Sequence, residues 1–279
     1  MSELTRPPPS ADHGNALPKL SACIIAFNEA DRLGDCLASL AFCDEVVVVD
    51  SGSTDGTRAL AERMGARVLS RPFDGFRNQK QFAVDQAAHD WVLCLDADER
   101  VDPALRASIQ AERKAGFARA PGYRFARLSE YYGRFLRHGT AYPDYVLRLF
   151  DRRRGGWRGN REIHEAVSVD GAVATLRGDL LHHPYRSFMQ LLEKKQRYAR
   201  MMAEYDFSRG KRASLAKLIV SPAWRFWRGW LLRGGFLDGW AGLVESYVSA
   251  NYVRQKAIML WLLQHGQPVV DPPRTPRGD

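Results

Sequence analysis

Cysteine is scarce, and none of the four (Cys23, Cys36, Cys43, Cys94) forms a Cys-x-x-Cys pair. That spacing excludes the common zinc and dithiol redox motifs. Cys23 and Cys94 fall in apolar, strand-like runs, so they are expected as buried thiols of a protein in a reducing compartment. No clean apolar run of 18 residues is present, which argues against a conventional membrane-spanning helix. The chain also lacks Gly-x-Gly-x-x-Gly and Gly-x4-Gly-Lys-Ser/Thr, and with them the dinucleotide fingerprint and the P-loop. No signal peptide is expected. Residues 1–19, with three prolines at 7–9, read as a disordered lead, and residues 266–279 as a disordered tail.

The 279 residues are 45% hydrophobic and 26% charged, enough to build a sizeable core. The net charge of +9 suits an anionic partner: nucleic acid, acidic lipid or a phosphorylated small molecule. The chain is organised around Trp91-Val92-Leu93-Cys94-Leu95-Asp96-Ala97-Asp98-Glu99. This apolar run has the length of a buried strand and ends in two carboxylates. In an open α/β sheet that carboxyl edge is where ligands sit. Two acids there can hold a divalent cation, and a cation can hold a diphosphate; otherwise they make a solvated acidic turn.

The run has companions. Leu20 to Phe27 reads as a strand ending at Asn28-Glu29, followed by a helix with Leu33, Leu37 and Leu40 on one face. Val46 to Val49 reads as a second strand and ends at Asp50. Ser51-Gly52-Ser53-Thr54-Asp55-Gly56-Thr57 then supplies turn and N-cap residues for a helix that stops at Gly65. Residues 66–69 read as a strand and 75–88 as a helix. Asp102-Pro103 opens another helix, which Gly116 closes. The β-α alternation predicts a mostly parallel sheet, with Asn28-Glu29, Asp50 and Asp96/Asp98 on one shared edge.

The pattern changes after residue 120. Residues 123–128 and 145–150 read as strands. Residues 163–169 and 172–176 read as a hairpin around Asp170-Gly171. From Arg186 onward the chain reads as helices. Between residues 186 and 234 there are twelve Lys and Arg against three Asp and Glu, and five of the seven tryptophans lie between Trp224 and Trp261. Basic, Trp-rich amphipathic helices suit an anionic membrane surface, while ordinary helix packing or a homodimer contact would use the same residues differently. The expected division is 20–185 for the α/β domain and 186–265 for the helical region.

Three blocks carry a resemblance. Ile24-Ile25-Ala26-Phe27-Asn28-Glu29, Val49-Asp50-Ser51-Gly52-Ser53-Thr54-Asp55-Gly56-Thr57 and Leu95-Asp96-Ala97-Asp98-Glu99 resemble family 2 inverting glycosyltransferases of the GT-A fold. Further stretches narrow the resemblance to the bacterial lipopolysaccharide core β-1,4-glucosyltransferase group. These are Arg71-Pro72-Phe73-Asp74-Gly75-Phe76, Tyr142-Pro143-Asp144-Tyr145-Val146-Leu147-Arg148-Leu149-Phe150, His164-Glu165 and Gly178-Asp179-Leu180-Leu181-His182. The resemblance implies a Rossmann-like, mostly parallel sheet with a C-terminal helical appendage. It implies transfer of a hexose, glucose for this group, from a UDP-sugar to a hydroxyl of a lipid-linked glycan. A divalent cation, Mg²⁺ or Mn²⁺, would assist. The expected location is cytoplasmic, peripheral on the inner face of the bacterial cell membrane.

The resemblance assigns Asp98 to the metal and Asp96 to the ribose or the metal's water shell. Asp50 is expected on the uracil or ribose, or in an Asx turn shaping its own loop. Ala26 and Asn28 are expected against the nucleoside. Glu29 either reaches it too or favours a helix N-terminus. Lys80 contacts the nucleotide or is a solvated helix lysine. Arg148, in an apolar run, needs an anionic partner, either a diphosphate or a carboxylate. The general base is Asp144 or Glu165, with Asp144 preferred. His164 and His182 either join the metal or serve structure. A nucleic-acid-binding module and a nucleotidyltransferase are the competing classes. The first lacks basic blocks in the leading hundred residues, and the second usually needs a Gly-rich phosphate loop that is missing here.

Overall fold

The computed structural model describes residues 17–158 and 166–269. Its elements run in this order: β1 (Leu20–Ala26), α1 (Leu33–Ser39), β2 (Glu45–Asp50), α2 (Thr57–Arg63), β3 (Arg67–Ser70), α3 (Phe76–Gln86), β4 (Trp91–Asp96), β5 (Glu99–Val101), α4 (Pro103–Lys114), β6 (Gly122–Tyr131), β7 (Arg134–Phe135), β8 (Asp144–Asp151), β9 (Gly155–Arg158), β10 (Ala166–Val169), β11 (Val173–His182), α5 (Phe188–Ser208), α6 (Leu215–Trp227), a π-helical turn (Arg228–Leu232), a 3₁₀ turn (Gly235–Asp238) and α7 (Gly239–Gln264). The chain divides into two compact units. The first comprises residues up to Asp96, Pro103–Arg124 and Leu147–Leu176; the second comprises Ala97–Asp102, Phe125–Val146 and Arg177 onward.

In the first unit the strand order is β3-β2-β1-β4-β8-β6. β1 pairs in parallel with β2 and β4, and β2 with β3. β8 joins β4 antiparallel, so the α/β sheet is parallel through its first four strands and mixed beyond them. Val47, Val48 and Val49 have no solvent exposure, nor do Leu20, Ala22 and Ile24. Strands buried on both faces are continuous apolar runs, because each face packs on helices. Fully burying each large apolar side chain contributes roughly 1.5–3 kcal/mol. One cluster packs Cys23 and Cys94 against Val92, Phe150, Ala83 and Trp157. The expected burial of both thiols therefore holds. Leu33, Leu37 and Leu40 are buried, as their spacing requires.

The parallel register decides where the polar groups emerge. Ala26 lies opposite Asp50, and Ile25 lies opposite Asp96. The expected shared edge therefore exists for Asn28, Asp50 and Asp96, since strands with aligned registers end together.

The expected hairpin over 163–176 is corrected. Residues 163–165 lie outside the described residues, and β10 pairs antiparallel with β9 instead of with β11. Gly155 makes this possible. A Cβ there would stand 2.4 Å from Val169 Cγ1 and 2.8 Å from the Ser168 carbonyl, so only glycine admits so close a strand. The β9-β10 pair is a separate ribbon, while β11 runs on to His182.

In the second unit the order is β8-β6-β11-β5, with β7 folded back on β6. β11 pairs antiparallel with β5, which sets His182 opposite Glu99. The short strands β5 and β7 gave no periodic signal because two or three residues are too few to show one. Helices α5, α6 and α7 follow, as expected from Arg186 onward. Ser187 caps α5, its hydroxyl accepting from the Gln190 amide at 3.1 Å. Asp206, on α5, accepts from Lys211 at 2.7 Å and from Lys256 of α7 at 3.1 Å. Burial pushes the Asp206 carboxyl up, but the two ammonium groups outweigh it and hold it below its usual value. A carboxylate depressed in the folded state adds stability above its unfolded pKa and loses it as pH falls through the folded one. Chemical denaturation followed at several pH values should therefore show an acid-side loss of stability beginning near pH 4. Asp206→Asn should shrink that loss measurably.

Candidate functional site

The first unit presents a loop pair at its strand ends. Asn28 has a positive φ of 53°, a conformation that asparagine tolerates better than most residues. Its amide donates to Ser53 Oγ at 2.9 Å, and its Oδ1 accepts from the Thr54 amide at 2.9 Å. The Glu29 amide donates to Thr57 Oγ1 at 2.9 Å, and the Ala30 amide to Asp55 Oδ2 at 3.1 Å. The Ser-Gly-Ser-Thr-Asp-Gly-Thr stretch thus laces the β1 loop to the β2 loop. It also ties down the start of α2: Asp55 Oδ1 accepts from the Thr57 amide at 3.0 Å, while the N-cap position itself is Gly56 in the left-handed region. The Glu29 carboxylate stands 3.8 Å from Arg32 Nε.

Asp50 is fully buried. Its Oδ2 accepts from the Gly52 and Ser53 amides, both at 3.0 Å, which is the Asx-type loop contact. Its Oδ1 has no hydrogen-bond partner among the described residues. A buried acceptor without a donor costs about 1–3 kcal/mol. The buried Gln79, on α3, repeats the arrangement. Its Nε2 donates to Ser51 Oγ and to the Arg71 carbonyl, both at 3.0 Å, and its Oε1 is without a partner among the described residues. Sequence reasoning passed over Gln79, and its lone polar position on the buried side of α3 was the available signal.

Asp96 is the centre of a charge cluster. Lys80 Nζ lies 2.9 Å from its Oδ1 and Arg148 Nη2 lies 3.1 Å from its Oδ2. Both cations also stand over the Trp157 ring, at 4.8 and 5.0 Å from its centroid. Lys80 is therefore held rather than solvated, and the anionic partner of Arg148 is a carboxylate. Both oxygens of Asp96 are thus engaged by cationic side chains. Trp157, also missed from sequence, lies on β9, whose pairing only the tertiary structure revealed.

The second unit holds the other acids. Asp98 Oδ2 stands 3.6 Å from His182 Nε2, and His182 Nδ1 is 2.9 Å from Ser129 Oγ on β6. Arg127 donates through Nε and Nη2 to Asp144 Oδ2, at 3.0 and 2.7 Å, and its Nη1 reaches the fully buried Glu99 at 3.4 Å. One residue farther along β6 than Ser129, Glu130 accepts a short bond from Nδ1 of His183, which lies just past the end of β11. Beside that pair is a cavity of about 310 Å³ lined by Glu130, Tyr131, Tyr132, Tyr185, Phe188 and Leu191, among others. Glu165 and His164 lie outside the described residues.

Among the described residues no three His, Cys, Asp or Glu side chains gather as a metal cage. The donor set that does fit a divalent cation is the pair Asp98 and His182. Their separation exceeds a hydrogen bond and matches two ligands of one ion. A cation of this kind takes one or two protein groups and fills its remaining positions with water and substrate phosphate.

The model of the family described as glycosyl transferase family 2 matches residues 21–164, just over half of the chain. The chain belongs to that family. It is accordingly a glycosyltransferase, and its parallel β3-β2-β1-β4 core is that of the expected GT-A class. It is 35% identical over 244 residues to the lipopolysaccharide core biosynthesis glycosyltransferase LpsC of Rhizobium meliloti, covering 85% of this chain and 90% of that protein. It is 31% identical over 244 residues to an uncharacterized glycosyltransferase of Rickettsia felis, covering 84% of this chain and 86% of that one. In this glycosyltransferase the Asp96 cluster is also a stability element. Asp96→Ala leaves Lys80 and Arg148 without their shared carboxylate. The expected loss is about 1–3 kcal/mol, read from the denaturation midpoint. A midpoint equal to wild type would show that the cluster carries no structural weight.

Proposed function

We propose that the protein is an inverting transferase moving a hexose, glucose, from a UDP-sugar to a hydroxyl of a lipid-linked glycan of the lipopolysaccharide core kind. The observation that carries the donor side is the buried Asp50 Oδ1, an acceptor without a protein donor at the carboxyl edge of a parallel sheet. A base N–H or a ribose hydroxyl supplies such a donor. Ala26 and Asn28 border the same edge, with Glu29 beside them. Lys80 and Arg148, the two cations held at Asp96 on that edge, would face the diphosphate. The name of the LpsC relative supports the acceptor class, and the aromatic cavity beside Glu130 supports a sugar ligand, since aromatic faces pack on apolar sugar faces.

The reaction forms a bond between the acceptor oxygen and the anomeric carbon and breaks the bond from that carbon to the diphosphate. The acceptor proton passes to a carboxylate, Asp144 or Glu165, and UDP leaves. One displacement inverts the anomeric centre and needs no protein nucleophile. Arg127 orients Asp144 through two bonds to one oxygen, which leaves the other oxygen to take a proton. Asp98 and His182 would hold Mg²⁺ or Mn²⁺, which when bound supplies positive charge against the leaving diphosphate. With the Nδ1–H of His182 donating to Ser129 Oγ, 2.9 Å away, the ring would be fixed so that Nε2 presents its lone pair on the Asp98 side.

UDP release from a panel of nucleotide sugars, with and without a lipid-linked acceptor, tests the donor and acceptor. A clear preference for GDP- or CMP-sugars overturns the donor. Asp98→Ala should abolish metal-dependent release, and unchanged metal-dependent turnover would sink the metal assignment. Ser129→Ala should raise the Mn²⁺ concentration at half-maximal activity roughly 10–100-fold. It should leave the KM for donor sugar near wild type.

A further inference from the structure

α6 buries none of its residues, although its sequence LAKLIVSPAWRFW is mostly apolar. Leu215, Ile219, Trp224 and Trp227 are exposed, Ile219 at 74%. The π-helical turn continues the ridge with Leu231, and the start of α7 with Trp240. A helix at a water boundary turns its polar face outward. α7 largely does the reverse in its first turns, burying Ala241, Gly242, Glu245, Ser246 and Ser249 together with one larger apolar residue, Val248.

That inner face is a built contact. Arg225 of α6 donates to Ser249 Oγ at 2.9 Å, and Lys195 of α5 lies 3.4 Å from Glu245. A Cβ on Gly242 would stand 2.0 Å from the Gly235 carbonyl oxygen, so the backbones touch there. Small and polar groups, with Val248, line this inner face, while Ile219, Trp224 and Trp227 of α6 stay exposed. Several large apolar side chains exposed along one helix mark an interaction site.

Charge selects the partner. Between residues 207 and 237 the chain carries seven Lys and Arg and no Asp or Glu. Lys217 and Arg233 are exposed on this stretch. The surface therefore fits a partner that is apolar within and anionic at its rim, which describes the headgroup boundary of an acidic bilayer. Tryptophan is enriched at that boundary. A second copy of the chain fits less well, because a two-fold contact would bring this positive stretch against itself. No helix among the described residues is long and apolar enough to cross a membrane, so the ridge lies in the interface plane.

We propose that α6, the π-helical turn and the first turns of α7 form a docking surface for an anionic lipid bilayer. The surface would hold the enzyme beside a lipid-linked acceptor, and only in that consequence does it rest on the acceptor reading above. The test uses the full chain with vesicles of phosphatidylcholine alone and vesicles that also contain phosphatidylglycerol. The protein should co-sediment with the anionic vesicles and be released by high salt. Trp224→Glu with Trp227→Glu should cut the bound fraction about tenfold or more, and Lys217→Glu with Arg233→Glu should weaken binding to anionic vesicles only, by a similar factor. UDP release without vesicles should stay at the wild-type level in both variants, which shows that they fold and separates this surface from the donor reading. If the tryptophan pair prevents folding, Ile219→Ser with Trp224→Ser takes its place. Wild-type protein that ignores anionic vesicles, or a tryptophan variant that binds them as tightly, overturns the proposal. So does a wild-type dimer in light scattering that the tryptophan variant dissociates while neither binds vesicles.

Discussion

Parallel pairing of β1 with β2 on one side and β4 on the other fixes where the polar groups of the first unit emerge. Once Ala26 is set opposite Asp50 and Ile25 opposite Asp96, the apolar halves of all three strands are buried together. Their polar ends then have one edge to share. The acids are tolerated there because each is compensated. Asp50 takes two loop amides, and Asp96 takes a lysine and an arginine. The sheet that supplies the core thus also supplies the site, and neither can be altered without the other.

The Asp-Ala-Asp turn divides two kinds of chemistry. Asp96 is held by a lysine and an arginine, and Asp98 stands beside His182. The carboxylates are two residues apart, yet their partners come from distant parts of the chain: α3, β8 and β9 for one, β6 and β11 for the other. A spacing motif alone does not state this division, because the residues that decide it are brought in by pairing.

The helical region inverts the usual distribution of polarity. Along α6 and the first turns of α7 the buried residues are mostly small or polar while tryptophan, leucine and isoleucine are exposed; farther along α7, Leu260 packs conventionally with Ala203, Phe207 and Trp261. Close backbone approach at Gly235 and Gly242 makes such packing feasible, since small residues let helices hold through contact and hydrogen bonding. The basic composition of the same stretch, evident from the sequence, acquires a direction only when the outward apolar ridge is known.

The sequence by itself determined the β-α alternation, the shared polar edge, the buried thiols, the helices after Arg186 and the family. All of these follow from local periodicity or from short contiguous motifs. Only the tertiary structure decided that β10 pairs with β9, because a Gly155 that admits Val169 is a long-range steric fact. The same holds for Gln79 and Trp157 at the site, for the double engagement of Asp96, and for Ser129 behind His182. Each depends on strands and helices far apart in sequence. Which face of α6 meets its neighbours was likewise beyond the pattern of residues, because an apolar helix can be buried or outward-facing with the same sequence. The packing of small residues on α7 settled it.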